Sequence, residues 1–210
     1  MKKTLSLIAI ASSLIFSSQA NAKDGLYAGA DLVLSNAKYK YLDKTNSGLP
    51  SESGGVNKVD GNGVGVGVSV GYKKYFNQVF IAPEVFYDYL NTSIKDYGHT
   101  ISAYRDGKMN LRSRYGVKIN LGYDLTEKFS TYANFGMAQV SYLNESPSDG
   151  SSQGKLSYFA PVYGLGALYK LNDSWSVRAE INQQKVNIRY FDNASKVTIN
   201  TLKTGLVYNF

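Results

Sequence analysis

The stretch Val64-Gly65-Val66-Gly67-Val68-Ser69-Val70-Gly71-Tyr72 decides the fold class of this chain. Every second residue is Val or Tyr, and the residues between them are Gly or Ser. Because successive side chains of a β-strand point to opposite faces, this alternation predicts a strand with one apolar face and one face of small residues. A helix would need apolar residues every three or four positions, which the stretch lacks.

The same alternation recurs along the chain and predicts eight strands. They cover residues 25–37, 63–73, 79–91, 109–123, 129–143, 157–170, 175–187 and 196–210. Short polar connections alternate with long ones that are rich in Gly, Ser, Asn and Asp. An even strand number, with short turns at one end and long loops at the other, is typical of outer-membrane barrels. We therefore predict an all-β fold, an eight-stranded antiparallel transmembrane β-barrel.

Residues 1–22 have the pattern of a secretory signal peptide, which leaves 23–210 as the barrel domain. Lys2 and Lys3 precede an apolar run from Leu5 to Phe16, and Ala20-Asn21-Ala22 supplies the small residues of a cleavage site. The apolar run is too short to cross a bilayer as a helix. The pattern predicts export to the bacterial envelope.

The chain has no Cys and a single His among its 210 residues. This composition excludes a disulfide scaffold, a Cys-ligated zinc site, an iron–sulfur cluster and a thiol nucleophile. We expect no cofactor and no metal site. We also expect that the protein is not an enzyme. Its one candidate catalytic pair, His99 and Ser102, falls in a predicted loop. The net charge is +7, but the cations are dispersed, which argues against nucleic-acid binding.

Charged residues on the face of small side chains predict the lumen of the barrel. In a soluble barrel this face would meet water, and a solvent surface of Gly and Ser is unusual. In a membrane barrel the glycines leave room for long side chains in a lumen that side chains fill. Buried charges need partners, and acids and bases on this face roughly balance. The predicted lumen network comprises Asp31, Glu84, Asp88, Arg112, Arg114, Lys118, Arg178, Glu180 and Lys203.

The order of the strands predicts which lumen charges meet. The two acids of the third strand, Glu84 and Asp88, should lie beside Arg112 and Arg114 of the fourth. Asp31 and Lys203 should meet where the first and last strands close the barrel.

Aromatic residues beside the short turns predict a girdle at one membrane interface. They are Tyr72, Tyr75, Phe76, Tyr123, Phe129, Tyr169, Trp175, Tyr208 and Phe210. The last strand alternates to the chain end, with Leu206, Tyr208 and Phe210 on one face. We interpret these three residues as the signal that presents a bacterial barrel to its assembly machinery.

The chain resembles the small eight-stranded outer-membrane barrels of the opacity and OmpA transmembrane-domain type. The matching segments include GLYAGADLVLS, GVGVSVGYKKYF, IAPEVFYDYL and LKTGLVYNF. Within that group it is similar to the rickettsial-type outer-membrane adhesins, or surface antigens. The resemblance implies a protein of the outer membrane that attaches to host cells through extracellular loops. It implies serum or matrix glycoproteins such as vitronectin as the type of partner.

Basic and aromatic residues of the predicted loops are the candidate ligand contacts, because Tyr and Arg are frequent interface anchors. They are Lys40, Tyr41, Lys44, Tyr97, His99, Tyr104, Arg105, Arg189, Tyr190 and Phe191. An equally open interpretation is contact with lipopolysaccharide phosphates. Two other functions stay open, namely a structural barrel without a ligand and a narrow pore of low conductance. We expect a monomer, with outer-membrane lipid, lipopolysaccharide, the barrel assembly machinery and a host protein as partners.

Overall fold

The computed structural model describes residues 24–42, 56–95, 108–145, 152–190 and 193–210. The strands are β1 (Gly25–Leu42), β2 (Val56–Phe76), β3 (Val79–Lys95), β4 (Lys108–Asp124), β5 (Phe129–Glu145), β6 (Ser152–Lys170), β7 (Trp175–Tyr190) and β8 (Asn193–Asn209). Each strand pairs antiparallel with the next, and β1 pairs with β8. The predicted eight-stranded antiparallel barrel is confirmed. No helix within the described ranges is long and apolar enough to cross a membrane. The predicted signal peptide lies outside the described residues and stays a prediction.

The strands are longer at the long-loop end than the sequence predicts. β1 and β2 pair without a break from Gly25↔Lys73 to Leu42↔Val56, through a region that we expected to be loop. Polar side chains interrupt the apolar alternation there. The ladder, however, is made by main-chain groups, which pair whatever the outward side chains are. The loss of apolar character therefore marks a change of surroundings and not the end of the strand.

Side chains along the short-turn part of the barrel alternate between the lumen and the outer face as predicted. On β3, for example, Glu84 is 2% exposed and its neighbour Val85 is 61% exposed. Several inward glycines make room for large side chains. The rings of Tyr27, Phe80 and Tyr132 fill the space beside three of them, where an added Cβ would collide; these glycines are Gly71, Gly122 and Gly166. The glycines thus accommodate aromatic rings as well as the predicted charges.

A β-bulge on β4 reverses the side-chain alternation near the long-loop end. Leu111 pairs with Tyr142 and Ser113 with the adjacent Ser141, so Arg112 is an extra residue on its strand. An extra residue turns the positions beyond it to the opposite face. Arg112 is accordingly exposed on the outside, and Leu111 is buried. The prediction that Arg112 lies in the lumen is wrong, because an unbroken period of two does not reveal the bulge.

The ladder between β6 and β7 is the shortest in the barrel, since it ends at Val162↔Gln184. The upper end of β6 remains paired with β5, and that of β7 with β8. Where the ladder ends, Gln184 Nε2 donates to the carbonyl oxygens of Ala160 at 3.2 Å and Ala138 at 2.8 Å. A buried side chain thus supplies the hydrogen bond that a neighbouring strand would otherwise make.

The aromatic girdle surrounds the short-turn end, with one exception. Tyr72, Phe76 and Trp175 point outward and are 41–56% exposed. Tyr75 points into the lumen and packs on Phe80 with ring centroids 5.5 Å apart. The prediction that Tyr75 belongs to the girdle is wrong. Side chains alternate between the two faces along β2, and Tyr75 points to the opposite face from Tyr72 and Phe76.

The C-terminal aromatic residues lie together on the outer face. The ring of Tyr208 makes edge contacts with Trp175 at 5.0 Å and with Phe210 at 4.9 Å, measured between centroids. Leu206 is exposed on the same face. The role of Leu206, Tyr208 and Phe210 in assembly stays a prediction.

Candidate functional site

Eight charged side chains form one continuous chain of ion pairs across the middle of the lumen. Bases and acids alternate along it in the order Arg114, Asp88, Lys203, Asp31, Arg178, Glu84, Lys118 and Glu180. Each residue is at most 6% exposed. Four positive and four negative charges balance, as buried charges require. We call this set the lumen charge chain.

One half of the lumen charge chain is centred on Asp88. Its carboxylate lies 2.6 Å from Arg114 Nη2, and these two residues are register partners on β3 and β4. Lys203 reaches across from β8, with its Nζ 2.8 Å from Asp88 Oδ1 and 3.5 Å from Asp31 Oδ2. Asp88 therefore meets Arg114, and Asp31 meets Lys203, where the sequence pattern put them.

The other half is centred on Glu84. Arg178 pairs with Asp31 and places its Nη1 2.9 Å from Glu84 Oε2. Lys118, the register partner of Glu84, lies 3.2 Å from Glu84 Oε1 and 2.5 Å from Glu180 Oε1. Glu84 thus meets Lys118 and Arg178 in place of the expected Arg112, which the bulge removes from the lumen.

Three aromatic residues that the sequence analysis missed hold the chain in place. The hydroxyl of Tyr27 donates to Glu84 Oε2 at 2.9 Å, and that of Tyr132 donates to Glu180 Oε2 at 2.7 Å. The ring of Phe86 has three cations of the chain within 5.6 Å of its centroid, a favourable arrangement for cation–π attraction. The alternation of faces along β3 could have predicted the position of Phe86, since this residue lies two positions from each of two inward acids.

Above the lumen charge chain, towards the long loops, the interior becomes apolar. The upper lumen cluster comprises Val33, Ala37, Tyr39, Leu90, Ile94, Met109, Leu111, Val140, Tyr142, Ala160, Val186, Val197 and Ile199. Most of these side chains have no exposed surface. The lumen is therefore filled at two levels, by paired charges and by apolar packing.

A row of carboxamides crosses the outer face of four neighbouring strands. Gln183, Asn200, Asn36 and Asn62 are successive register partners on β7, β8, β1 and β2. Gln183 Nε2 donates to Asn200 Oδ1, and Asn36 Nδ2 donates to Asn62 Oδ1, both at 2.8 Å. We call these four residues the carboxamide row.

The outer face is apolar below the carboxamide row and polar above it. The register neighbours immediately below are apolar and 46–63% exposed; they are Ile181, Leu202, Leu34 and Val64. The neighbours immediately above are Lys185, Thr198, Lys38 and Asp60. In the lumen the charge chain gives way to the upper lumen cluster in the same part of the barrel, while a second apolar cluster around Tyr27, Phe80 and Tyr132 lies below the charge chain.

The length of the apolar face fits a bilayer. Ten residue steps separate Leu26, near the short turns, from Asn36. At about 3.3 Å per residue and a tilt near 40°, they rise about 25 Å along the membrane normal. This is the height of the apolar band of outer-membrane barrels. Asn36 therefore marks the upper edge of that band on β1.

The ten candidate loop contacts divide into two groups. Lys40 and Tyr41 belong to β1, and Arg189 and Tyr190 belong to β7, so their assignment to loops was wrong for the reason given for the long strands. Lys40 is exposed on the outer face. The other six lie outside the described residues, namely Lys44, Tyr97, His99, Tyr104, Arg105 and Phe191. Ligand contact by any of the ten stays a prediction.

The lumen acids are held by cations and by tyrosine hydroxyls. Within the described ranges, no three residues among His, Cys, Asp and Glu form a group that could hold a metal ion. The paired side chains of the lumen charge chain close the lumen. Exposed cations such as Lys40 supply charge at the rim.

The model of the outer membrane protein β-barrel domain family matches residues 6–210. The chain belongs to this family. Its barrel therefore lies in the outer membrane, with the apolar outer face against lipid. A comparison with curated proteins found no match.

Solved structures share the fold at low sequence identity. Neisserial surface protein A is similar with a TM-score of 0.53 and 16% identity, over 89% of this chain and 97% of its own. The outer membrane protein AlkL, determined in DMPC bilayers, gives 0.51 and 16%, over 92% and 94%. Ail of Yersinia pestis gives 0.49 and 16%, over 89% and 99%. These similarities concern the fold alone.

Proposed function

We propose that this outer-membrane barrel is an adhesin, a sealed support whose extracellular loops attach to host serum or matrix proteins of the vitronectin type. The observation that carries the proposal is the double filling of the lumen. The lumen charge chain and the upper lumen cluster lie one above the other and contain nearly unexposed side chains. A barrel filled in this way offers its partners its outer surfaces.

The same observation weighs against the narrow pore. Conduction requires a continuous water path, whereas eight strands enclose a lumen that side chains fill. Displacing a member of the lumen charge chain would leave a buried charge without its partner, which is costly. We expect at most rare and small single-channel events in planar bilayers, and steady conductance of porin size would contradict the proposal.

The strands above the carboxamide row support a role in binding. β1 continues six residues beyond Asn36, to Leu42, and stays paired with β2 throughout. At about 3.3 Å per residue and a tilt near 40°, this rim rises roughly 15 Å above the apolar band. A paired rim of this height would lift the loops clear of the lipid headgroups, where a large ligand can reach them. The resemblance of the strand segments to rickettsial-type adhesins supports the same class of function.

The proposal can be tested with the refolded full chain in lipid nanodiscs, with vitronectin as the probe in surface plasmon resonance. We expect the triple variant Tyr97→Ala, Tyr104→Ala, Arg105→Ala to bind at least about tenfold more weakly, since Tyr and Arg are common hot-spot residues. The double variant Glu127→Ala, Lys128→Ala, at the short-turn end, is the matched control and should bind unchanged.

Two results would contradict the adhesin proposal. One is that the intact protein binds neither vitronectin nor other serum and matrix proteins, which would favour the structural barrel. The other is that the loop variant and its control bind equally well, which would place the contact elsewhere on the barrel.

A further inference from the structure

Two strand edges face each other without pairing above the ladder that joins β6 and β7. This ladder ends at Val162↔Gln184. Beyond it, β6 continues through residues 152–161 and stays paired with β5, while β7 continues through residues 185–190 and stays paired with β8. We call residues 152–161 the β6 edge and the gap between the two runs the seam.

Pro161 explains why the ladder ends where it does. A Cβ added to Gly164 would collide with the carbonyl oxygen of Ile181, so Ile181 and its register partner Leu165 direct their main-chain groups to each other. The main-chain groups of an antiparallel strand turn alternately to one neighbour and to the other. Steps of two residues along β6 therefore direct the main chain of Pro161 toward β7, where a proline has no N–H to donate.

The same period of two identifies the main-chain groups that the seam leaves without a strand partner. They belong to Ser157 and Phe159 on β6 and to Lys185 and Asn187 on β7, which have no register partners across the seam. Their side chains are exposed on the outer face. Proline and lysine discourage pairing at sheet edges, but Pro161 and Lys185 both stand at the foot of the seam. Above them, the open N–H and C=O groups can pair with an additional strand.

The seam opens near the upper edge of the apolar band. Nine residue steps separate Lys170, at the short-turn end of β6, from Pro161. At about 3.3 Å per residue and a tilt near 40°, they rise roughly 23 Å, compared with about 25 Å for the band. Unpaired main-chain groups are not tolerated against hydrocarbon. At the height of the seam they meet water, where a partner outside the cell can reach them.

The ladder between β2 and β3 also stops early, at Gly63↔Thr92, but it leaves no comparable edge. β3 extends three residues further, to Lys95. A Cβ added to Gly61 would collide with the carbonyl oxygen of Ser93, so the two main chains stay in contact there. The β6 edge is ten residues long, whereas a typical strand has about five or six. It can therefore hold a whole added strand.

The side chains beside the β6 edge determine which segment would fit. Phe159 points outward and is 65% exposed, and aromatic residues pack well against β-branched neighbours across a sheet. On the inner side, Tyr158 and Val186 pack in the upper lumen cluster, so inward side chains of an added strand would meet an apolar surface. Lys185 favours an acid on the outer face. The edge thus fits an alternating segment, apolar inward and β-branched or acidic outward.

We propose that the β6 edge binds an extended segment of a partner polypeptide as an added antiparallel strand. Main-chain hydrogen bonds supply the affinity, and the alternating side chains supply the selectivity. The site goes beyond the loop adhesion proposed above, because it is built from strand main chain and requires no loop side chain.

The first test uses the refolded full chain in lipid nanodiscs and the dye-labelled peptide Thr-Val-Glu-Val-Thr-Val-Glu, followed by fluorescence anisotropy. With Val turned inward, the Thr and Glu residues direct their N–H groups to β6. N-methylation of the first Glu should weaken binding at least about tenfold, because it removes a ladder hydrogen bond and places a methyl group between the strands. N-methylation of the Val that follows it is the matched control and should change the affinity by about twofold or less.

The protein supplies a second matched pair at one position. Ser157→Pro removes the N–H that Ser157 directs to the seam and should weaken binding of the parent peptide at least about tenfold. This N–H takes no part in the ladder with β5, so that pairing is kept. Ser157→Ala loses the same hydroxyl, which lies 3.2 Å from that of Ser141, but keeps the N–H and should bind like the wild type. Compact migration of the unboiled protein on gels verifies that each variant is folded.

Three results would overturn the proposal. The first is that the parent peptide does not bind, or that the two N-methylated peptides bind alike or in the reverse order. The second is that Ser157→Pro and Ser157→Ala bind the peptide equally well. The third is that the full chain forms dimers in detergent that Ser157→Pro dissociates, because a second copy of the chain would then be the occupant of the β6 edge.

Discussion

At the level of the lumen charge chain the barrel is polar inside and apolar outside; above the carboxamide row the order is reversed. At mid-height, Arg178 is buried in the lumen while Ile181 faces lipid. Near the rim, Ile199 is buried while Lys185 and Lys196 face outward. The same eight strands and the same period of two serve both regions. The difference teaches that the solvent around a strand, lipid or water, decides which face carries its apolar residues.

The two regions also differ in what stabilises them. In the lumen charge chain, desolvation of the charges offsets much of their attraction, so the chain favours one specific arrangement more than it adds net stability. In the upper lumen cluster, burial of apolar side chains is directly favourable, at roughly 25 cal/mol per Å² removed from water. Substitutions in the two regions should therefore fail for different reasons.

The largest effect is expected from breaking the lumen charge chain at its centre. Arg178→Met leaves Asp31 and Glu84 without a shared partner, and losing one member of a buried pair costs about 3–5 kcal/mol. The measurement is urea unfolding from vesicles, followed by the fluorescence of Trp175. Lys185→Met removes an exposed cation from the same strand and is the control. If the two variants were equally stable, the charged side chains of the lumen charge chain would not be closely paired in the membrane.

A somewhat smaller effect is expected from the upper lumen cluster. Ile199→Ala creates a cavity among fully buried side chains, and such truncations cost about 2–5 kcal/mol. Its outward neighbour Thr198 lies above the apolar band, and Thr198→Ala should change the free energy of unfolding by about 0.5 kcal/mol or less. The same unfolding assay checks both. Equal losses at the two positions would mean that the rim has no apolar interior.

The outer face supplies a third comparison, across the carboxamide row. Val85→Arg introduces a charge on the lipid-facing side of β3 and should cost about 2–4 kcal/mol near mid-membrane. Thr198→Arg introduces the same side chain above the row, where the outer face meets water, and should cost less, about 1 kcal/mol, from repulsion by its register partners Lys38 and Lys185. Folding yields into vesicles and unfolding free energies measure the difference. A similar cost at both positions would move the membrane boundary above the rim.

The smallest effect concerns Asp24, at the short-turn end and outside the spanning strands. Its carboxylate accepts hydrogen bonds from Lys74 Nζ and, at 2.7 Å, from the backbone N–H of Tyr75. These contacts lower the pKa of Asp24 below its ordinary value. A lowered pKa gives stability at higher pH that is lost as the pH falls from about 4 through the folded-state pKa. Asp24→Asn should remove this slope from the pH dependence of the unfolding midpoint, and an unchanged slope would contradict the contact.

The sequence determines the strands well because their signal is local. Alternation identified all eight strands and the inward parity of residues such as Glu84 and Lys203. It failed at Arg112, where one extra residue on β4 exchanges the two faces. A bulge is specified by pairing with the neighbouring strands, and a single strand's pattern does not contain that information.

The upper lumen cluster escaped prediction for a different reason. Polar residues such as Lys38 and Asp60 are typical of a loop, so the predicted strands end before the observed ones. Yet Val197 and Ile199 have the same parity as Lys203 on β8, and Ala37 has the same parity as Asp31 on β1. Long-range partners such as Arg178 and Glu84 depend on how the barrel closes, and no local pattern encodes that distance.

The exchange of polarity at the carboxamide row is tested most directly by spin labels placed singly along β1. The chain has no native Cys, so single cysteines at 32, 34, 38 and 40 can be labelled cleanly. Labels at 32 and 34 should respond to oxygen dissolved in the lipid, and labels at 38 and 40 to a water-soluble nickel complex. A label at 37 should be protected from both reagents, because Ala37 is buried in the upper lumen cluster. Strong lipid-phase relaxation at 38 and 40, or free access of the nickel complex to 37, would contradict the account.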